Sequence, residues 1–242
     1  MFDEQGKDGI YWNTYNETTM RSVLYSSLPQ KAWNESCMGA ACGTNKPALL
    51  AGGGGASKFH SKPSWQTGIP GIIEDNARDI PDVSLTAAVH DGYLVCIDNS
   101  CTPDSAGRIS FALFSGTSAA APSFAGIIAH LVQYAHGRQG QINPNLYRLA
   151  ATQDWSQCES TLTFIFEDSC LFHDIRSGDN AVPGQSDYGT GNPSYQAKFG
   201  YDMATGLGSV RANNLVLGWQ SATGLGMAHL VTSQSGLNFF GH

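Results

Sequence analysis

The sequence is poor in charge. Only 14% of its 242 residues are Asp, Glu, Lys or Arg, against roughly 25% in an ordinary soluble domain. Basic residues are the scarcer kind: 13 Lys and Arg against 20 Asp and Glu give a net charge of −7. With no basic cluster, this balance argues against nucleic acid or an anionic membrane as partner. No segment approaches the ~20 apolar residues of a membrane span. The first residues, Met1-Phe2-Asp3-Glu4-Gln5-Gly6, have neither the basic region nor the apolar run of a signal peptide. Zinc-type cysteine spacings and a His-Glu-x-x-His pattern are missing too. The glycine run Ala51-Gly52-Gly53-Gly54-Gly55-Ala56-Ser57 is followed by no Gly-Lys-Ser/Thr and no helix signal, so it does not read as a phosphate cradle.

What is present is glycine, at 28 positions, with frequent Ser, Thr and Asn. Six cysteines fall in close pairs, Cys37/Cys42, Cys96/Cys101 and Cys158/Cys170. Local disulfides closing small loops fit these spacings and point to an oxidising, extracellular compartment. The length suffices for one large α/β domain with a buried core.

Along the chain, residues 1–50 are polar and carry no long periodic run. The glycine run that follows can offer bare backbone to an extended peptide, which makes Gly53, Gly54 and Gly55 candidates for substrate binding. Residues 82–88 read as a buried strand, and 92–97 and 109–114 as two arms of a hairpin with Cys96 and Cys101 at its tip. The period then changes. Phe124, Ile127, Ile128, Leu131, Val132 and Ala135 recur at helical spacing from Ser118 on, Pro122 is expected in the first turn, and His136-Gly137 supplies the stop. Asn143-Pro144 is expected to cap a second, short helix through Leu146, Tyr147, Leu149 and Ala150. Pattern is lost beyond Trp219.

The densest chemistry lies in Ser115-Gly116-Thr117-Ser118-Ala119-Ala120-Ala121-Pro122. A strand, a glycine turn and a helix of small residues present a serine at the positive end of a helix, where a nucleophile or a developing oxyanion is stabilised. The plain alternative is that Ser118 is only an N-cap. Further blocks follow in order: Gly53-Gly54-Gly55-Ala56-Ser57 to Pro63-Ser64-Trp65-Gln66-Thr67-Gly68, Arg78-Asp79-Ile80-Pro81-Asp82-Val83-Ser84, Phe172-His173-Asp174-Ile175-Arg176-Ser177-Gly178, and Gly200-Tyr201-Asp202-Met203-Ala204-Thr205-Gly206-Leu207-Gly208. With the serine block, they make the chain resemble the sedolisins, the serine-carboxyl peptidases of the subtilisin-like superfamily, over about residues 40–218. His60 and His90 sit in nothing like the His-Gly-Thr-His block of true subtilisins, and none of His60, His90, His130, His136 and His173 has ligand spacing.

The resemblance implies an α/β, subtilisin-like fold with a largely parallel sheet flanked by helices, incomplete on its N-terminal side. It also implies Ser118 as nucleophile of an acid-active endopeptidase. In that family a Glu is the general base, an Asp orients it in an Glu-x-x-x-Asp pattern, and a second, protonated Asp stabilises the oxyanion. A carboxylate base suits low pH, where imidazole is protonated. No such set precedes Ser118: Glu4 and Asp8 have the spacing but are broken by Gly6 and lack a helical pattern, and Asp79 and Asp82 read as structural. The matching calcium positions are Asp174 and Asp202 through side chains and Ile175, Lys198 and Gly200 through backbone carbonyls, an oxygen set suited to Ca2+.

The expectation is therefore the C-terminal part of a sedolisin-like peptidase domain over residues 1–219, and a tail or the start of a following region over 220–242. Its partners would be a peptide or protein substrate and the missing N-terminal part of the same domain. Alone it would be inactive. A non-catalytic secreted peptide-binding module is the rival reading.

Overall fold

The structure, a computed structural model, describes residues 29–43, 48–161, 169–189, 191–192 and 195–223. The Glu4/Asp8 pair and residues 224–242 of the expected tail lie outside these. Element order is β1 (Gly55–Ser61), β2 (Ala77–Ile80), β3 (Tyr93–Val95), β4 (Ala112–Phe114), α1 (Thr117–Tyr134), α2 (Asn143–Ala150), β5 (Phe172–His173), β6 (Ser209–Val210) and α3 (Ala212–Thr223). The last helix thus runs through position 219.

Among the described residues three two-stranded sheets form, β1–β2, β3–β4 and β5–β6, all antiparallel. A largely parallel sheet is not formed among the described residues, and this corrects the expectation. Parallel contact among the described residues is confined to the isolated pairs Ser84–Ser209 and Glu159–Asp174. Parallel strands are covered on both faces, whereas in residues 82–88 only Ala87 is buried. The same segment is therefore an extended connection with one bridge rather than a buried strand.

The hairpin forms as expected, with Tyr93 opposite Phe114 and Val95 opposite Ala112, and the Cys96–Cys101 disulfide closes a turn just beyond Val95. Cys37–Cys42 and Cys158–Cys170 are also bonded. All three local pairings agree with the sequence spacing.

The core is helical. Leu131 of α1, Leu146, Tyr147, Leu149 and Ala150 of α2, and Leu215 and Trp219 of α3 are buried together with Ile69, Trp155, Phe172, Tyr201 and Leu207. Phe124, Ile127 and Ile128 of α1, and Ala135 at its C-cap, pack against this cluster at the predicted helical spacing. α1 ends where expected, but His136 rather than Gly137 takes the left-handed conformation, at φ 53°, and the Gly137 amide closes back on the Val132 carbonyl.

Two local expectations change. Because α1 starts at Thr117, Pro122 lies in the second turn rather than the first, where its missing N–H removes a bond to the Ser118 carbonyl. Asn143 does not cap α2, whose N-cap is Ile142. The Asn143 amide donates instead to Asp82 at 2.9 Å. Asp82 also accepts from Tyr147 Oη at 2.9 Å and takes both its oxygens onto Arg78 at 2.6 Å. Beside it the fully buried Asp79 is paired with Lys62, and its backbone is clamped by the Gln66 amide. These two aspartates tie β2 to α2 and the core, as structural groups.

Candidate active site and cation site

Ser118 is the second residue of α1 and is exposed. It is not the N-cap; Gly116 is, with no side-chain cap. Gly116 turns the chain from β4 into the helix at φ 76°, ψ 175°, a conformation that favours glycine. Its carbonyl accepts from Ala119 and Ala120, and its amide donates to the Ala87 carbonyl at 2.7 Å. First-turn amides have no acceptor within a helix, and those of Thr117 and Ser118 find none elsewhere among the described residues. An exposed hydroxyl thus stands beside free N–H groups at a positive helix end. No carboxylate or imidazole among the described residues hydrogen-bonds to it.

Of the glycine candidates, Gly53 is exposed and open, and Gly55 opens β1 opposite Ile80. Gly54 is packed: a Cβ there would collide with the Met203 carbonyl. The glycine run therefore rests on the loop that carries Asp202.

Asp174 and Asp202 are each 1% exposed and both address the segment 198–202. Asp174 accepts from the Gly200 amide at 3.1 Å and from Arg176 Nε at 2.6 Å. Asp202 accepts from the amides of Lys198 at 2.9 Å, Ala204 at 2.9 Å and Thr205 at 2.7 Å, and from the Thr205 hydroxyl at 3.1 Å. Burial pushes the Asp202 carboxyl up to about 6 in spite of these donors, and burial likewise raises Asp174 in spite of Arg176. Ile175 is buried next to Asp174. The structure thus brings Asp174, Ile175, Lys198, Gly200 and Asp202 to one loop. No cluster of three or more His, Cys, Asp or Glu able to hold a metal occurs among the described residues, so a cation here would draw on backbone carbonyls.

Several residues around these sites were not legible as site residues. Arg176 lies over the Phe199 ring at 4.7 Å and bonds Glu159 and the Trp155 carbonyl besides Asp174. The Cys158–Cys170 loop gains a role from the same place: the Cys158 carbonyl accepts from the Asp174 amide at 2.7 Å, and the Ser160 amide donates to the Asp174 carbonyl at 2.9 Å. Near the serine turn, Glu35 accepts from Trp33 and from the amides of Val89 and His90, and pairs with the His90 ring.

No protein-family model matches the chain. In fold it is similar to the solved structure titled "Pseudomonas sedolisin (serine-carboxyl proteinase) complexed with two molecules of pseudo-iodotyrostatin", with a TM-score of 0.55, 28% identity, and coverage of 80% of this chain and 42% of that one. The class is thus that of the subtilisin-like serine-carboxyl peptidase fold, matched over part of a catalytic domain. In sequence the chain is 33% identical to kumamolisin of Bacillus sp. (strain MN-32) over 162 residues, 65% of this chain and 23% of that protein. It is 30% identical to xanthomonalisin of Xanthomonas sp. (strain T-22), over 79% of this chain and 19% of that protein, and 31% identical to sedolisin of Pseudomonas sp. (strain 101), over 79% and 25%. The chain is homologous to the sedolisin family and spans about a quarter or less of the length of these relatives.

Proposed function

We propose that this chain carries the nucleophile side of a sedolisin-type peptidase site. The observation that carries the reading is Ser118 itself, exposed in the first turn of α1 beside unpaired amides. In the reaction Ser118 Oγ bonds to the peptide carbonyl carbon, its proton passes to a carboxylate base and on to the leaving amine, and the C–N bond breaks to leave an acyl-enzyme. Helix-end amides favour the oxyanion of that step. The general base, its orienting Asp and the oxyanion Asp are assigned to the N-terminal part of a sedolisin-type domain, the partner this reading requires. The substrate is a peptide or protein, with the backbone at Gly53, Gly54 and Gly55 as its shelf, in an extracellular, acidic setting.

Two buried carboxylates with backbone carbonyls form the donor set of a hard cation. One guanidinium lies on Asp174, and Asp202 has no basic partner among the described residues. This net negative charge fits Ca2+, with Asp174, Asp202 and the carbonyls of Ile175, Lys198 and Gly200 to hold it. Bound there, it would offset the buried charge and brace the loop on which Gly54 rests.

The test is peptide turnover at pH 3–5 by the 242-residue chain alone, by its Ser118→Ala variant, and by each with the N-terminal part of a sedolisin domain added. The expected result is no turnover by the chain alone, and turnover in the mixture that Ser118→Ala abolishes. Peptide binding without turnover in every mixture would favour the binding-module reading. Turnover by the chain alone would show that its base lies within these residues.

A further inference from the structure

Gly116, two residues before Ser118, is held from two sides, and both lead to one carboxylate. On one side the Gly116 amide donates to the Ala87 carbonyl, and the chain just beyond, at Val89 and His90, turns its amides onto Glu35 at 2.9 and 3.4 Å. On the other side the edge of the Trp33 ring lies under Gly116, 3.9 Å from where a Cβ would stand, and the Trp33 indole N–H donates to Glu35 Oε2 at 2.8 Å. Glu35 is thus shared by the ring beneath the turn and by the segment that carries its acceptor. The His90 ring closes the arrangement, with Nδ1 on Glu35 Oε1 and Nε2 on Asp91 at 3.1 Å.

We propose that Glu35 is a positioning residue for Ser118, holding the Gly116 turn from two sides through Trp33 and through the segment 87–90. It touches neither substrate nor the reacting atoms. The assignment rests on the reading of Ser118 as the nucleophile, since a turn with no chemistry to aim would need no such support.

The arrangement suits acid. Every group facing Glu35 donates to its ionised form: Trp33, the amides of Val89 and His90, and the His90 ring, with Asp91 on the far side of that ring. Burial alone would raise the carboxyl, but these donors outweigh it and hold it at about 2. The folded-state value is depressed, so the latch is complete above the ordinary Glu range near 4.3, and its stabilisation is lost as pH falls from there towards about 2. Within the folded molecule Glu35 remains mainly ionised at pH 3.

Amide hydrogen exchange in the whole 242-residue chain, resolved for Gly116, Val89 and His90, tests this. At pH 4, Glu35→Gln is expected to lower protection at Gly116 about tenfold or more, with protection at Leu146 and Leu215 in the helical core unchanged, which shows that the variant is folded. In the unmodified chain protection at Gly116 should fall progressively as pH drops from about 5 towards about 2; in Glu35→Gln it should be low and flat over that range. Trp33→Phe, which removes one arm, should give an intermediate loss. Equal protection in the two chains, or the same pH profile in both, would overturn the proposal. Exchange reads the turn and not the reaction. An intact exchange effect without Ser118-dependent turnover would therefore sink the nucleophile reading alone.

Discussion

Asp202 is 1% exposed and accepts four hydrogen bonds from its own loop, whereas Ser118 is exposed and accepts none among the described residues. The contrast extends to their surroundings. Around Asp202 lie the buried Tyr201, Met203, Ala204, Thr205 and Leu207, and a disulfide-stapled segment pairs with Asp174 next door. Around Ser118 the β3–β4 ladder leaves Leu94 and Leu113 exposed on one face and Val95 and Phe114 on the other. A two-stranded ladder with both faces wet is marginal by itself. One region is therefore satisfied by its own residues. The other presents an exposed serine hydroxyl to which no carboxylate or imidazole among the described residues hydrogen-bonds.

The largest expected effect would break that contrast at its buried end. Asp202→Ala removes an acceptor from four donors that have no water to turn to, at a cost of at least about 3 kcal/mol. For a chain of this size that lowers Tm by about 6–12 °C. Ser118→Ala, by the same thermal unfolding measurement, should stay within about 1 °C. A comparable loss in Ser118→Ala would mean that the serine is a structural group.

The proposed calcium site sharpens the same end. At about 100 times its Kd a ligand of the folded state contributes about 2.7 kcal/mol, so a chelator should lower Tm by about 5–11 °C. Asp202→Ala should abolish the response. An identical Tm with and without chelator would remove the cation from Asp174 and Asp202.

These tests also separate what the residues disclosed from what they concealed. The helical stripe Phe124, Ile127, Ile128, Leu131 and the close cysteine pairs were legible, because periodicity and short loops are local properties. The serine turn was legible as a motif, though its cap is Gly116 and not Ser118. The expected parallel sheet failed because strand pairing depends on distant neighbours: residues 82–88 read as buried by composition, yet find one bridge at Ser209. Glu35 and His90 were concealed for the same reason. Their pairing spans 55 positions and leaves no spacing signal. Arg176 was in plain view inside a quoted block, but nothing local indicates that its guanidinium lies on Asp174.

Arg176 gives the next, smaller effect. Its charge already offsets part of what a cation would neutralise at Asp174, so Arg176→Gln should destabilise the chelated protein by about 1.5 kcal/mol and widen the calcium-dependent gap in Tm. An unchanged gap would show that the guanidinium and the cation do not share Asp174.

The smallest effect tests the wet end. Leu94 is 66% exposed, and a substitution at such a position away from special features changes stability by about 0.5 kcal/mol or less. Leu146, by contrast, is fully buried, and truncating such a leucine to Ala costs about 2–5 kcal/mol. Leu94→Ser should therefore leave Tm nearly unchanged in the chain alone. With the N-terminal part of a sedolisin domain bound, the same change should weaken association, because burying a leucine side chain is worth about 1.5–3 kcal/mol. A large loss of stability in the chain alone would instead mean that the hairpin faces are already covered in solution, and that the difference between the two regions is one of partners rather than of folding.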